Sequence, residues 1–210
     1  MLSKPKHFFT PARNTLQQRP MFLAAWLRAP LKIGAVTPSS KGLARAMARQ
    51  IDLHKEGMVI ELGAGTGPVT RALLEAHVPP ERLLVIEREP KLLAVLHAEF
   101  PTLNILRADV IDLADLLAER GITEVCAVVS SLPLLSMPNG IRTKIEGAMA
   151  AAISKGGVLI QFTYAPRSPI PQNRWRSLRI YGKRKKFIIS NLPPAHVWVY
   201  KRDRRIKPRK

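Results

Sequence analysis

The sequence predicts an α/β protein with a doubly wound, mostly parallel sheet and helices on both of its faces. Short apolar runs alternate with helical stretches from residue 58 onward, which is the rhythm of βαβ units. A glycine-rich turn lies between the first apolar run and the helix that follows it. The two last runs, KKFIIS and HVWVYKR, have no helix between them, which predicts a closing hairpin and therefore a mixed sheet.

Five apolar runs account for the predicted parallel strands, because strands covered on both faces are apolar throughout. They are MVIELG, RLLVIE, NILRAD, EVCAVVSS and GGVLIQFTY. Four stretches between them have helical periodicity, namely VTRALLEAH, PKLLAVLHAEF, LADLLAER and RTKIEGAMAAAIS. Upstream, Leu43, Met47 and Ile51 recur four residues apart and predict one more helix, which Ser39 or Ser40 can N-cap.

The chain carries 34 Lys+Arg against 15 Asp+Glu, a formal charge of +19, and the excess lies towards its two ends. Residues 1–58 hold 10 basic and 2 acidic side chains, residues 59–157 hold 9 and 12, and residues 158–210 hold 15 and 1. The near-neutral middle is typical of a core that binds a small molecule. The basic flanks indicate a surface for a polyanion, either nucleic acid or an anionic membrane.

A chain of 210 residues suits one domain. We expect that domain over residues 40–210, with a basic tail, and before it a basic segment, residues 1–39, that contains an amphipathic helix. The single Cys126 excludes an internal disulfide and a multi-Cys zinc site. No run reaches the roughly 18 apolar residues of a membrane span, and the N-terminus lacks a secretory signal, so we expect a cytoplasmic protein.

The stretch VIELGAGTGPVT, Val59 to Thr70, is the strongest functional signal in the chain. A strand runs to Glu61, glycines at positions 63, 65 and 67 form a turn, and a helix follows. Glycines permit a tight turn and a close approach of the backbone to a ligand. Alone, such a turn suits a dinucleotide equally well, but the spacing here is E-x-G-x-G-x-G rather than G-x-G-x-x-G.

Two more acids end the next two strands. Glu87 closes LLVIE, at a distance from Gly63 that is typical of an acid binding both hydroxyls of a ribose. Asp109 closes NILRAD, where it could accept a hydrogen bond from the exocyclic amine of adenine. Open α/β sheets bind ligands at the carboxyl ends of their strands, so these acids and Glu61 together predict a nucleoside-containing ligand.

On these residues, the sequence from about residue 40 to 200 resembles the class I S-adenosylmethionine-dependent methyltransferases. That Rossmann-like fold has a seven-stranded mixed sheet ending in a hairpin with one antiparallel strand. The resemblance implies S-adenosylmethionine as the cofactor, S-adenosylhomocysteine as its product, and no metal. Glu87 matches the family's ribose acid and Asp109 its adenine contact. The cofactor site that it implies comprises Glu61, Gly63, Ala64, Gly65, Gly67, Glu87, Arg88, Asp109, Val110 and Ser130.

The fourth strand ends in SSLPLLSM, Ser130 to Met137, which matches the acceptor motif of this superfamily. RNA adenine dimethyltransferases have a motif of N-x-P-Y type there, whose aromatic ring stacks on the base. In this chain Leu134 stands in the place of the aromatic residue. An acceptor motif without an aromatic side chain suits an aliphatic amine near acyl chains better than a purine base.

The segments FLAAWLRAPLKIGAVTPSS, GAGTGPVT and SSLPLL together resemble the bacterial phospholipid N-methyltransferases, which methylate phosphatidylethanolamine towards phosphatidylcholine. The resemblance implies an N-terminal helix on the inner face of the cytoplasmic membrane. The expected membrane contacts are Phe22, Leu23, Trp26 and Leu27. The expected contacts with the phospholipid headgroup are Lys32, Thr37, Ser39, Ser40 and Pro133.

An acceptor amine must lose a proton before it attacks, because an ethanolamine-type ammonium has a pKa near that of Lys, about 10.4. Tyr164, after LIQFT, could hold the ammonium by cation–π contact or help to carry its proton away. Ser131 and the Leu132 carbonyl could accept hydrogen bonds from the amine. We therefore predict a phospholipid N-methyltransferase acting at an anionic membrane surface.

Two alternatives remain at this point. RNA also binds basic flanks, so an RNA adenine dimethyltransferase is the first, and a non-catalytic binder with the same fold is the second. The intact glycines and acids argue against the non-catalytic protein. The sequence leaves the oligomeric state open.

Overall fold

The computed structural model describes residues 41–153 and 156–203. The helices are α1 (Lys41–Ala48), α2 (Pro68–Glu75), α3 (Pro90–Glu99), α4 (Leu113–Glu119) and α5 (Asn139–Ala152). The strands are β1 (Met58–Leu62), β2 (Leu83–Glu87), β3 (Asn104–Arg107), β4 (Val125–Ser130), β5 (Val158–Thr163), β6 (Ile180–Ile188) and β7 (Ala195–Arg202). Single 3₁₀ turns cover Pro80–Arg82, Val110–Asp112 and Leu134–Ser136.

The seven strands form one mixed sheet in the order β3-β2-β1-β4-β5-β7-β6. Strands β1 to β5 are parallel, and β7 is antiparallel to both of its neighbours, β5 and β6. The mixed sheet with a closing hairpin is therefore confirmed. The strand order reverses between β1 and β4, and ligands of open α/β sheets bind at the carboxyl ends of the strands beside such a reversal.

The sheet has a separate apolar layer on each face, because successive strand residues point to opposite sides. Val59 and Val85 face one layer with Leu43 and Met47 of α1 and Leu73 of α2. The neighbouring strand residues face the other layer, which α4 and α5 cover. Its members include Ile60, Ile86, Leu113, Leu117, Ile145 and Met149.

Strand β6 is an edge strand of the sheet, as β3 is at the opposite side, and most of its residues are exposed. It begins at Ile180, earlier than the KKFIIS run predicted, and pairs with β7 from Ile180↔Arg202 to Ile188↔Ala195. A sequence pattern predicts a strand from its apolar residues. The first half of β6 ends in basic residues, as an exposed edge strand permits, so the run KKFIIS marked only its second half.

The predicted N-terminal amphipathic helix lies outside the described residues. Within residues 41–153 and 156–203, no helix is both long enough and apolar enough to cross a membrane.

Candidate active site

The turn between β1 and α2 depends on glycine at three positions. Gly63, Gly65 and Gly67 have φ angles of 69°, 63° and 85°, a region that other residues rarely adopt. A Cβ atom on Gly67 would lie 2.6 Å from Cε2 of Phe100, so glycine is also needed there for close packing. At Gly65 a Cβ would meet no atom within 4 Å, so this part of the turn borders open space.

Glu87, the last residue of β2, joins this turn to the neighbouring strand. Its Oε2 accepts a hydrogen bond from the Gly65 N–H at 2.9 Å. Its Oε1 accepts hydrogen bonds from the N–H groups of Arg88 and Glu89 at 2.8 and 2.9 Å. A carboxylate offers about four lone-pair sites, so Oε2 retains one for a further donor such as a hydroxyl.

Glu61, in β1, is fully buried beneath the same turn. The Thr70 hydroxyl donates a hydrogen bond to its Oε2 at 2.8 Å, while its Oε1 has no hydrogen-bond partner within the described part of the chain. Desolvation by burial raises the pKa of this carboxyl to about 8, although the Thr70 hydrogen bonds oppose the rise. With this pKa the carboxyl is protonated at neutral pH, and a positively charged partner beside it would favour the ionised form and lower the pKa.

Asp109 follows β3 and caps the short turn that begins at Val110. Its Oδ1 accepts a hydrogen bond from the Ile111 N–H at 3.0 Å, and its Oδ2 lies 3.2 Å from Nη1 of Arg88. The Arg88 side chain is 67% exposed. Arg88 and Asp109, two of the residues predicted to bind the cofactor, thus form an ion pair at the edge of the site.

The acceptor motif is held against the end of β4 and β1 by hydrogen bonds that its backbone N–H groups donate. Ser130 is fully buried at the end of β4, and its Oγ accepts a hydrogen bond from the Leu132 N–H at 3.3 Å. The Ser131 N–H donates to the Leu62 carbonyl at 2.9 Å. A Cβ on Gly63 would lie 2.7 Å from Cδ2 of Leu132, so the motif packs directly against the glycine turn.

Gln161 is a site residue that the sequence analysis missed. It is fully buried in β5, in register with Ser130, and its Nε2 donates to the carbonyls of Leu132 at 3.0 Å and Phe162 at 2.9 Å. Its Oε1 has no hydrogen-bond partner among the described residues. The sequence does contain a signal for Gln161, since it is the one amide side chain within the apolar run GGVLIQFTY. A buried amide requires hydrogen-bond partners, so such a residue indicates a specific polar contact.

An apolar cavity of about 210 Å³ lies between the ends of β4 and β5. Pro133 and Leu134 of the acceptor motif line one side, and Phe162 and Tyr164 line the other. The two rings meet edge to face, with their centroids 5.4 Å apart. The acceptor motif itself has no ring, as its sequence implied, but the cavity receives two from β5 and the residue after it.

Tyr164 has its hydroxyl near the side chain of Asn191 in the hairpin between β6 and β7. Burial raises the pKa of the phenol above its ordinary value, and the hydrogen bond with Asn191 offsets only part of that rise. The phenol is therefore neutral at physiological pH. It can present its ring or hydroxyl to an ammonium, but it does not provide a phenolate base.

The carboxyl ends of β1 to β5 thus bring the predicted cofactor residues, the acceptor motif and Tyr164 to one edge of the sheet. Eight other predicted residues lie outside the described part of the chain. They are Phe22, Leu23, Trp26, Leu27, Lys32, Thr37, Ser39 and Ser40.

Comparison with known proteins identifies the family of this chain. No protein-family model matches the chain. An ornithine lipid N-methyltransferase of Singulisphaera acidiphila is 31% identical over 183 residues, covering 83% of this chain and 91% of that protein. The chain belongs to the lipid N-methyltransferase family, within the class I S-adenosylmethionine-dependent methyltransferases. It is an S-adenosylmethionine-dependent methyltransferase.

Two further similarities are more limited. A ribosomal RNA small subunit methyltransferase A of Chlorobium limicola is 32% identical over 71 residues, covering 34% of this chain and 26% of that protein. The crystal structure of a 1,6-didemethyltoxoflavin-N1-methyltransferase from Burkholderia thailandensis superposes with a TM-score of 0.59. The superposition covers 95% of this chain and 93% of the didemethyltoxoflavin methyltransferase. The two sequences are 12% identical, and so low an identity supports a shared fold alone.

The residues of the site fit S-adenosylmethionine. The turn at Gly65 borders open space, and Glu87 retains a lone pair beside it. The unpartnered Oε1 of Glu61 is a buried polar atom at the same turn, and a positive charge beside it would favour the carboxylate form. These three features match a ligand that carries hydroxyl groups at one part and a positive charge at another.

Proposed function

We propose that the enzyme transfers methyl groups to the amine of phosphatidylethanolamine, and of its mono- and dimethylated forms, towards phosphatidylcholine. The single observation that carries this proposal is the apolar cavity at the end of the acceptor motif. Its lining within the described chain contains no carboxylate, and two aromatic rings meet in it. Such a cavity suits an aliphatic amine attached to an apolar molecule.

The proposed cofactor contacts follow from the geometry of the glycine turn. Glu87 would bind the ribose hydroxyls, and Asp109 with Val110 would bind the adenine. Glu61 would lie towards the positively charged methionine end, with the turn from Gly63 to Gly67 between them. When bound, S-adenosylmethionine supplies an electrophilic methyl group on a sulfonium, and its transfer leaves neutral S-adenosylhomocysteine.

The enzyme's own residues would hold the amine and remove it from water. The Leu132 carbonyl accepts hydrogen bonds from Nε2 of Gln161 at 3.0 Å and from the Leu134 N–H at 2.9 Å. The amine would therefore bind this carbonyl in place of the Leu134 N–H, because a carbonyl oxygen has two lone pairs. The Tyr164 ring provides cation–π contact with the amine in its charged form. Transfer into an apolar cavity lowers the pKa of an ammonium, because desolvation disfavours the charged form.

The reaction balances without a further reagent. The nitrogen lone pair forms the new N–C bond, the S–C bond breaks with its electron pair remaining on sulfur, and one proton leaves the nitrogen. Effective transfer needs the amine held in line with the methyl group. Packing of the Ser130–Leu134 segment against Gly63 supports our assignment of that task to the segment.

An ornithine lipid is the second candidate substrate. The observation that favours it is the 31% identity to an ornithine lipid N-methyltransferase across most of both chains. An ornithine lipid also presents an aliphatic amine on an apolar molecule, so the cavity suits it on the same grounds. Either substrate requires the enzyme at a membrane, and we propose that it attaches peripherally to the inner face of the cytoplasmic membrane.

Methyl-labelled cofactor tests the proposal directly. The full chain is incubated with mixed micelles of phosphatidylethanolamine, with micelles of an ornithine lipid, or with unmodified ribosomal RNA. We expect label in phosphatidylethanolamine. Label in the ornithine lipid alone would select the second substrate, and label in RNA alone would overturn lipid methylation and restore the RNA alternative.

A further inference from the structure

The connection between β6 and β7 exposes apolar side chains at its tip. Ile189 is 73% exposed and Leu192 is 82% exposed, the two highest values among large hydrophobic residues in the described chain. Phe187, at the end of β6, is 49% exposed. Exposed apolar residues clustered at one loop indicate a contact surface, whereas isolated ones carry no such meaning.

This tip lies at the same edge of the sheet as the acceptor cavity. Thr163, the last residue of β5, pairs with His196 at the start of β7, so the hairpin turns beside the carboxyl end of β5. Asn191 within the turn is buried, donates to the Pro193 carbonyl at 2.7 Å, and contacts the cavity residue Tyr164. The apolar tip and the cavity are therefore fixed relative to one another.

A strongly basic strand leads to the tip. Four consecutive exposed positions on β6 hold Lys183, Arg184, Lys185 and Lys186. From residue 158 to residue 202 the chain has ten basic side chains and no acidic one. At about 3.3 Å per residue, Lys186 lies roughly 10 Å along the strand from Ile189 and Lys183 roughly 20 Å.

Protection of the sheet edge explains part of this pattern but not all of it. Lys side chains and an irregular register between Arg184 and Lys186 both discourage another strand from pairing with β6. Edge protection gives no reason to expose Ile189 and Leu192 at the turn, because apolar groups there promote association. An apolar tip with cations behind it instead matches the layers of an anionic bilayer.

We propose that the tip of the β6–β7 hairpin is a membrane-docking element. Ile189 and Leu192 enter the apolar layer of an anionic phospholipid bilayer, while the β6 cations bind the lipid phosphates. Docking in this way places the mouth of the acceptor cavity at the membrane surface. The inference rests on the proposed lipid substrate, and it assigns the hairpin a role separate from that of the N-terminal segment.

Labelling tests insertion without using the enzyme's activity. Leu192→Cys is made in a Cys126→Ala background, and Val95→Cys in the same background is the matched control, since Val95 is 45% exposed on α3. Each full-length variant carries an environment-sensitive dye and is mixed with vesicles of phosphatidylcholine containing one-third phosphatidylglycerol. We expect a blue shift of the dye at position 192 and none at position 95.

Vesicle sedimentation provides the second measurement, with unlabelled full-length variants that retain Cys126. Leu192→Ser should weaken binding to the anionic vesicles about tenfold, while Val95→Ser leaves it unchanged. Lys186→Gln should weaken it about fivefold at low salt and less at high salt. An unshifted dye at position 192, equal shifts at both positions, or a dye shift with RNA but not with vesicles would each overturn the proposal.

A soluble acceptor separates this inference from the proposed function. Monomeric short-chain phosphatidylethanolamine, used below its micelle concentration, should be methylated by Leu192→Ser at the rate of the unaltered enzyme. Methylation of this acceptor with no dye shift would overturn docking alone. A dye shift with no lipid methylated would leave docking supported and overturn the proposed function.

Discussion

The side-chain amide of Gln161 donates a hydrogen bond to the Leu132 carbonyl at 3.0 Å, linking β5 to the acceptor motif after β4. The same nitrogen donates to the Phe162 carbonyl, so the amide spans the two segments that line the cavity. Gln161 is thus a positioning residue for the carbonyl that we propose accepts from the substrate amine.

Replacing Gln161 with Met should lower kcat about fivefold, because one buried hydrogen bond contributes about 1 kcal/mol and the Leu132 carbonyl would lose its orientation. Cofactor affinity should change little, and this split between kcat and cofactor binding identifies a positioning role. Gln50→Met is the matched control, since Gln50 also donates to a backbone carbonyl, that of Ala46 at 3.1 Å, far from the site. Equal losses of kcat in both variants would contradict the assignment.

Gly65 and Gly121 form a matched pair for testing the cofactor turn. Their φ angles are 63° and 64°, and a Cβ atom at either position would meet nothing within 4 Å. Alanine should therefore destabilise the fold similarly at both, by about 1 kcal/mol. Only Gly65→Ala should weaken binding of S-adenosylhomocysteine, by tenfold or more in calorimetry, because only that Cβ would fill the proposed cofactor space. An equal affinity in the two variants would exclude Gly65 from the cofactor site.

The raised pKa of Glu61, about 8 against an ordinary value of 4.5, predicts how stability changes with pH. Between these two values the folded protein binds the proton more tightly than the unfolded chain does. Stability should therefore fall as the pH rises through this window, by up to about 1.4 kcal/mol per pH unit. Urea unfolding of the wild type and of Glu61→Gln from pH 5 to 8.5 measures the difference.

Glu61→Gln should lack that component of the slope, because Gln does not titrate and can still accept from the Thr70 hydroxyl. Taking the difference between the two proteins removes the opposite contribution of His196, whose pKa is lowered by burial. Parallel stability curves for the two proteins would show that Glu61 is not the titrating group.

Glu146 of α5 binds two arginines, and Arg174 among them belongs to the segment before β6 and is 35% exposed. Its Oε1 lies 2.7 Å from Nε of Arg142 and its Oε2 lies 2.9 Å from Nη1 of Arg174, while its side chain is only 1% exposed. Glu146→Ala would leave two guanidinium groups without their shared carboxylate. We expect the free energy of unfolding to fall by about 3 kcal/mol in urea denaturation, the lower end of the loss for a fully buried pair, because water reaches Arg174.

The exposed pair of Arg45 and Glu75 provides the comparison for that loss. Its two side chains are 51% and 44% exposed, with 2.9 Å between Nε and Oε2. Glu75→Ala should cost no more than about 1 kcal/mol, since water screens the pair. A loss at Glu146 as small as that at Glu75 would mean that Glu146 does not hold the segment in place.

Local patterns in the sequence were sufficient for most of the sheet and for the cofactor turn. Buried parallel strands are apolar throughout, helices repeat their apolar residues every three to four positions, and a glycine turn has a recognisable spacing. Glu61 and Glu87 lie in neighbouring strands and Asp109 comes just after the next one, so their shared edge followed from the parallel topology. Each of these features depends on residues close together in the chain or on a topology that they imply.

The tertiary structure alone decided which distant residues meet at the site. The sequence by itself determined a closing hairpin, but pairing between strands placed β7 next to β5, which brought Asn191 to Tyr164. Register between β4 and β5 aligned Gln161 with the acceptor motif, and no local pattern encodes that alignment. The physical reason is that hydrogen bonds across a sheet and contacts within a cavity depend on strand order and register, which arise from packing of the whole chain.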